Sequence, residues 1–361
     1  MRPIEVLWKN DILAIELIIN NSRQYARNER RRKKKMRRIV LICILFVLAS
    51  VTLALLVYAG IALLRKPVSS TAANTTQPQS TENLASPPPF TPEPATQAAS
   101  PTPTIDEDWY RERCDQLYHY LDMYGNFENP EDIAQKLSSW QIDKNRKMVA
   151  LTFDDGPSPT YTAMVLDILE RYNVRATFFI QGSHISGNEE LLQRALALGC
   201  EIGNHTMNHE DLEEISDDEM RNAVSSVNDL MQEKFGYTLT LIRPPYISFG
   251  KKGSGKRAAF VQMLKDFDMA CINHTRSSHD TYADYTADMI SERMLQSKDE
   301  LGHGIDNSIY LFHDKSQKTV DALPRIIEGL LADEYQLVTV SELLNCSEEG
   351  LHSGWIYSKA D

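Results

Sequence analysis

Residues 147–180 read KMVALTFDDGPSPTYTAMVLDILERYNVRATFFI, and this stretch decides the fold. Its ends, MVALTF and ATFFI, are short apolar runs suited to buried strands, and the intervening YTAMVLDILERY has the apolar spacing of a helix with one buried face. The alternation continues downstream. CEIG, LTLI, MACIN, SIYLF and YQLVTV read as further strands, and NEELLQRALALG and SDDEMRNAVSSVNDLMQEKF as helices, the second opening on a capping box of Ser216 and Glu219. Repeated βα units imply an α/β fold with a parallel sheet. About seven of them in roughly 200 residues imply a closed or nearly closed (β/α) barrel.

In such folds chemistry collects on loops leaving the C-terminal ends of the strands. Four polar clusters fall there. Asp154 and Asp155 follow the first strand, His205 and His209 the third, Arg243-Pro-Pro-Tyr246 the fourth, and His313-Asp314 the sixth. A helical turn over 205–209 would point both imidazoles one way. Each cluster has a plain alternative: a polar turn at Asp-Asp-Gly-Pro, surface histidines, a rigid Arg-Pro-Pro-Tyr loop, a core histidine at 313. Taken together they supply two imidazoles and one carboxylate, a metal-ligand set with an open position.

The motifs TFDDGP (152–157), HTMNH (205–209), RPPY (243–246) and LFH (311–313) resemble, in order, those of the NodB-homology polysaccharide deacetylases, carbohydrate esterase family 4. The resemblance covers about residues 146–345 and implies a distorted (β/α) barrel that removes acetyl groups from N-acetylated sugars with a divalent metal ion. It implies Asp155, His205 and His209 as metal ligands, Asp154 as general base and His313 as general acid. It further implies Arg243 as the residue orienting the base, the Tyr246 backbone N–H as an oxyanion donor, and Leu311, with Pro245 and Tyr246, in substrate binding. The chemistry is coherent. A divalent cation polarises the amide carbonyl and acidifies water, Asp154 takes the water's proton, and His313 protonates the departing amine. Zinc is the expected ion, with cobalt or nickel also suited to this ligand set.

The family's fourth motif, Asp-x-x-Asp-Trp, is altered to HTRSSHDTY. Its best register puts Ser277 at the first aspartate, Asp280 at the second and Thr281 at the tryptophan. Asp280 is then expected to pair with Arg243, and Tyr282 is available for the missing groove wall. His274, His279 and His303 read as surface or loop residues.

Upstream, residues 39–64 form an uncharged 26-residue apolar run, long enough to span a bilayer. Nine basic residues lie between Arg27 and Arg38, against only Arg65 and Lys66 on the far side, so the positive-inside rule puts the N-terminus in the cytoplasm. A cleaved signal peptide fits less well, because its apolar region is shorter. Residues 1–66 carry a net charge of +10 and the remainder −22, which argues against nucleic acid as the main domain's partner. The expected order is a basic cytoplasmic segment (1–38), whose DILAIELIINNSRQYARNERRR could also lie on the inner leaflet, a signal anchor (39–64), a Pro/Ser/Thr-rich linker (65–107), a helical preamble (108–145), the deacetylase-like domain (146–345) and a tail (346–361). Of five cysteines, Cys43 falls in the span. A Cys114–Cys346 bridge could join the ends of the outer domain, and Cys200 and Cys271 read as buried thiols.

These readings converge on a single-pass cell-membrane enzyme that deacetylates an envelope polysaccharide outside the cytoplasm, with peptidoglycan N-acetylglucosamine as the expected target. The rivals are a sugar-binding or scaffolding relative that has lost catalysis, and a phosphatase using the paired aspartates. The sequence does not give the oligomeric state.

Overall fold

The computed structural model describes residues 107–127, 129–347 and 350–358. The basic segment, the 39–64 span, Cys43 and nearly all of the linker lie outside the described residues. Among the described residues, no helix is long and apolar enough to cross a membrane.

Nine strands pair into one all-parallel sheet: β1 (Met148–Asp154), β2 (Thr177–Ile180), β3 (Glu201–Asn204), β4 (Leu241–Ile242), β5 (Ala270–Ile272), β6 (Arg276–Ser277), β7 (Ser308–His313), β8 (Gln336–Val338) and β9 (Ile356–Tyr357). They run in the order β6-β7-β1-β2-β3-β4-β5-β9, with β8 pairing the first half of β1. The parallel α/β architecture is as the sequence implies, but among the described residues there are nine strands rather than seven. The two additions, β6 and β9, are two residues each and carry no apolar run. β9 lies in the segment read as a tail, where it pairs with β5. Among the described residues no strand ladder joins β6 to β9; Thr275 Oγ1 instead donates to the Ser358 carbonyl at 2.8 Å.

Side-chain alternation along the strands separates two cores. Val149, Leu151 and Phe153 of β1, with Tyr310 and Phe312 of β7, pack in the larger cluster that includes the helices. Met148 and Ala150 of β1, Ile309 of β7 and Phe179 of β2 form the other, on the opposite face of the sheet. The same alternation puts Thr152 and Asp154 in line with Ala150, and Leu311 and His313 in line with Ile309. The inner face therefore changes from apolar to polar toward the strands' C-terminal ends.

The segment read as a preamble is built into this unit. The first helix, α1 (Glu107–Tyr124), begins one residue earlier than expected. Its Arg113 donates to Glu342 Oε1 at 3.3 Å, and Arg175 pairs with the same buried carboxylate. Opposite charges and the cap at Thr339 hold Glu342 below the usual carboxylate range despite its complete burial, which alone would raise it. Cys114 and Cys346 are both free thiols, so the bridge between them is absent, and Cys200 and Cys271 are buried.

Candidate active site

The register of β1 and β7 makes Asp154 and His313 direct partners, with Thr152 opposite Leu311 two residues earlier. The ends of β2 and β3 align beside them, since Ile180 pairs with Asn204 and Asn204 with Ile242. Five strand ends therefore lie side by side, and those of β1, β3, β4 and β7 carry or lead into the candidate residues.

At Asp155 the chain leaves β1 in a left-handed conformation, φ +76°. Its carboxyl Oδ1 lies 3.3 Å from His205 Nε2 and 3.1 Å from His209 Nε2. The 205–209 stretch is not a helical turn. Thr206 and His209 instead take positive φ (+65° and +61°), a costly conformation for a β-branched residue. Asn204 holds this loop: its Oδ1 accepts the Thr206 N–H at 2.8 Å, and its Nδ2 donates to the Val224 carbonyl and Asn228 Oδ1. The irregular backbone brings both imidazoles to one oxygen, which the i, i+4 helical argument reached by a different route.

His205 Nδ1 lies 2.6 Å from the Arg243 carbonyl oxygen. A carbonyl only accepts, so Nδ1 carries the proton and Nε2 presents its lone pair toward Asp155. Asp155 Oδ1 is buried without a hydrogen-bond partner. The His205 lone pair and the unpartnered carboxylate oxygen it faces repel unless a cation lies between them, so this donor set fits a divalent ion. The three ligand atoms lie within 4.8 Å of one another. Burial raises the Asp155 pKa, but the shift is downward overall, with the Lys315 ammonium on Oδ2 acting in that direction.

Arg243, fully buried, donates from Nη1 to Asp154 Oδ1 at 2.7 Å and to Thr152 Oγ1 at 2.6 Å. Its Nε and Nη2 donate to the carbonyls of Ile272 and Asn273, and its guanidinium stacks over Phe179. Asp280 does not pair with Arg243. Its Oδ1 lies 2.8 Å from His313 Nδ1, and its Oδ2 accepts the His313 N–H at 2.7 Å and the Thr319 hydroxyl at 2.8 Å. The expectation misassigned this partner because β6 turns the segment toward β7 rather than toward β4. Burial lowers the His313 pKa, but the Asp280 contact, with the charges of Asp154 and Asp155, raises it overall.

Tyr246 has φ +57°, is 71% exposed, and sets its ring edge-on to His209 at 4.8 Å. It lines a cleft of about 540 Å³ together with Asp155, His184, His209 and Lys315. Pro245 and Leu311 are buried and do not line that cleft. Thr281 is exposed, and Tyr282 stacks on His279 with 4.6 Å between centroids.

Sequence reasoning missed three residues. Lys315 pairs with Asp155 Oδ2, and His184 Nδ1 lies 2.9 Å from the Asp155 carbonyl oxygen. Neither carries a motif signal. His274, read as a loop residue, is half-buried where the charges of Arg243, Asp154 and His313 act on it, and desolvation pushes its pKa down to about 4. Its position two residues beyond the end of β5 was the available signal.

The family model described as polysaccharide deacetylase matches residues 141–259. A bifunctional xylanase/deacetylase of Pseudobutyrivibrio xylanivorans is 37% identical over 203 residues, covering 55% of this chain and 31% of its own length. A peptidoglycan-N-acetylglucosamine deacetylase of Bacillus cereus is 34% identical over 211 residues, covering 57% of this chain and 92% of its own. Among solved structures, a family 4 acetyl xylan esterase from Clostridium thermocellum in complex with a cobalt ion superposes with a TM-score of 0.51 at 28% identity, covering 59% of this chain and 98% of its own. The chain thus spans under a third of the first of these relatives and nearly all of the second.

Proposed function

This chain belongs to the polysaccharide deacetylase family, and we propose that it is a metal-dependent enzyme hydrolysing the N-acetyl groups of peptidoglycan N-acetylglucosamine. The observation that carries the proposal is Asp155 Oδ1, buried and unpartnered between two imidazole Nε2 atoms, one residue from Asp154 and its register partner His313.

Asp155, His205 and His209 would hold the divalent ion, zinc, cobalt or nickel, which when bound polarises the acetyl carbonyl and lowers the pKa of water. Arg243 occupies Asp154 Oδ1 and leaves Oδ2 to receive the proton of the attacking water. Asp280 fixes the His313 tautomer by accepting from Nδ1, so Nε2 is the nitrogen that delivers a proton to the leaving amine. The Tyr246 backbone N–H is assigned to the developing oxyanion. The acid keeps its orienting carboxylate despite the altered fourth motif, which weighs against a catalytically impaired scaffold.

The name of the Bacillus cereus relative supports peptidoglycan, while those of the xylanase/deacetylase and the esterase favour acetylated xylan as a second reading. Acetate release from purified peptidoglycan and from acetylated xylan separates them: release from peptidoglycan alone is expected, and release from xylan alone would reverse the assignment. We further propose a distorted barrel held outside the cell membrane by the 39–64 anchor. Protease added to intact cells should then remove the catalytic domain, and full protection would refute that topology.

A further inference from the structure

We propose that Lys315 is a positioning residue for Asp155: its ammonium holds Oδ2, so that Oδ1 alone is presented to a cation between His205 and His209. The inference rests on the divalent-ion reading above and concerns how the carboxylate is used.

The two oxygens of Asp155 have different surroundings. Oδ1 faces both Nε2 atoms and has no hydrogen-bond partner, whereas Oδ2 accepts from Lys315 Nζ. A lysine acting as a competitor for the ligand cluster would sit on Oδ1, among the imidazoles. Lys315 instead approaches from the cleft side, where it is half-exposed. An ammonium on one oxygen discourages the carboxylate from chelating through both, which keeps coordination positions open for water and for the acetyl oxygen. Exposed ion pairs contribute little, but Asp155 is only 7% exposed, so its pairing is not screened as at an open surface.

The fold fixes the approach of Lys315. The β1–β7 register ends at Asp154 and His313, so the segments leaving both strands run together. Between them Asp314, fully buried, accepts from the Thr162 hydroxyl, and a Cβ on Gly156 would overlap its carboxylate. The residue preceding Lys315 is therefore packed, through its carboxylate, against the glycine of the Asp-Asp-Gly turn.

The test titrates cobalt(II) into the full chain, wild type, Lys315→Met and Lys315→Arg, recording both affinity and the visible d–d spectrum. Lys315→Met should weaken binding about ten- to a hundredfold and change the band intensities as Oδ2 enters the coordination sphere. Lys315→Arg, which keeps a cationic N–H donor, should retain most of the affinity and the wild-type spectrum. Wild-type affinity and spectrum in Lys315→Met, or tighter binding, would overturn the proposal while leaving the metal site intact. Absence of cobalt binding by the wild type would instead remove the divalent-ion reading on which it rests.

Discussion

Asp154 and His313 are register partners at the last positions of two adjacent parallel strands, each oriented by its own buried partner, Arg243 for the first and Asp280 for the second. Neighbouring strands lie about 4.8 Å apart, so the proposed base and acid need no loop to bring them together. Like charges are avoided because Arg243 offsets Asp154, while Asp155 faces two imidazoles and Lys315.

Replacing Asp154 with Asn keeps an oxygen for Arg243 and removes the proposed proton acceptor. The turnover number should fall about 10²- to 10⁴-fold. Cobalt binding, followed in the same preparation, should persist, since Asp154 is not among the grouped ligands. Loss of binding together with activity would move Asp154 into the metal site.

The Asp280–His313 pair gives a pH signature. Contact with Asp280 raises the His313 pKa from its ordinary 6.5, so the imidazole stays protonated to higher pH and the basic limb of kcat/KM is displaced upward. Asp280→Asn removes that charge while burial continues to favour the neutral ring, so the limb should move to lower pH. A limb that stays in place or rises would exclude His313 as the acid.

Arg243 has a structural role beside its proposed functional one, because its removal leaves the buried Asp154 carboxylate and the Ile272 and Asn273 carbonyls without it. Arg243→Met should cost about 3–5 kcal/mol, a fall in melting temperature on the order of 10 °C. Calorimetry checks this, and a shift within a degree would mean that water replaces the guanidinium without penalty.

Gly156→Ala tests how tightly the strand-end turn is packed. Its Cβ would overlap the Asp314 carboxylate, whose pKa burial pushes up to about 7. A cost of about 1–3 kcal/mol in denaturant unfolding is expected, together with weaker cobalt binding as the turn shifts. Unchanged values for both would show that Asp314 can yield.

Much of this site was legible because it follows from a periodicity. Seven strands are apolar runs, and their ends at Asp154, Asn204, Ile242 and His313 are where alternation stops, so the motif residues fell at one end of the sheet. What was not legible depends on short or irregular backbone. Arg276–Ser277 and Ile356–Tyr357 are strands without apolar pattern, recognisable only through their partners. Missing the first of these assigned Asp280 to Arg243 rather than His313. The convergence of His205 and His209 depends on left-handed residues that helix spacing does not describe. Lys315 carries no sequence signal, and its contact with Asp155 emerges only from the fold.

The central claim is that Asp155, His205 and His209 hold a divalent ion needed to deacetylate peptidoglycan, and one measurement addresses it most directly. Acetate released from purified peptidoglycan by the full-length chain is followed before chelation, after chelation, and after adding cobalt or zinc back, alongside His205→Ala. Release should stop on chelation, return with the metal and be absent in His205→Ala. Release that survives chelation and the substitution, or none at all from a chain carrying stoichiometric metal, would contradict the account.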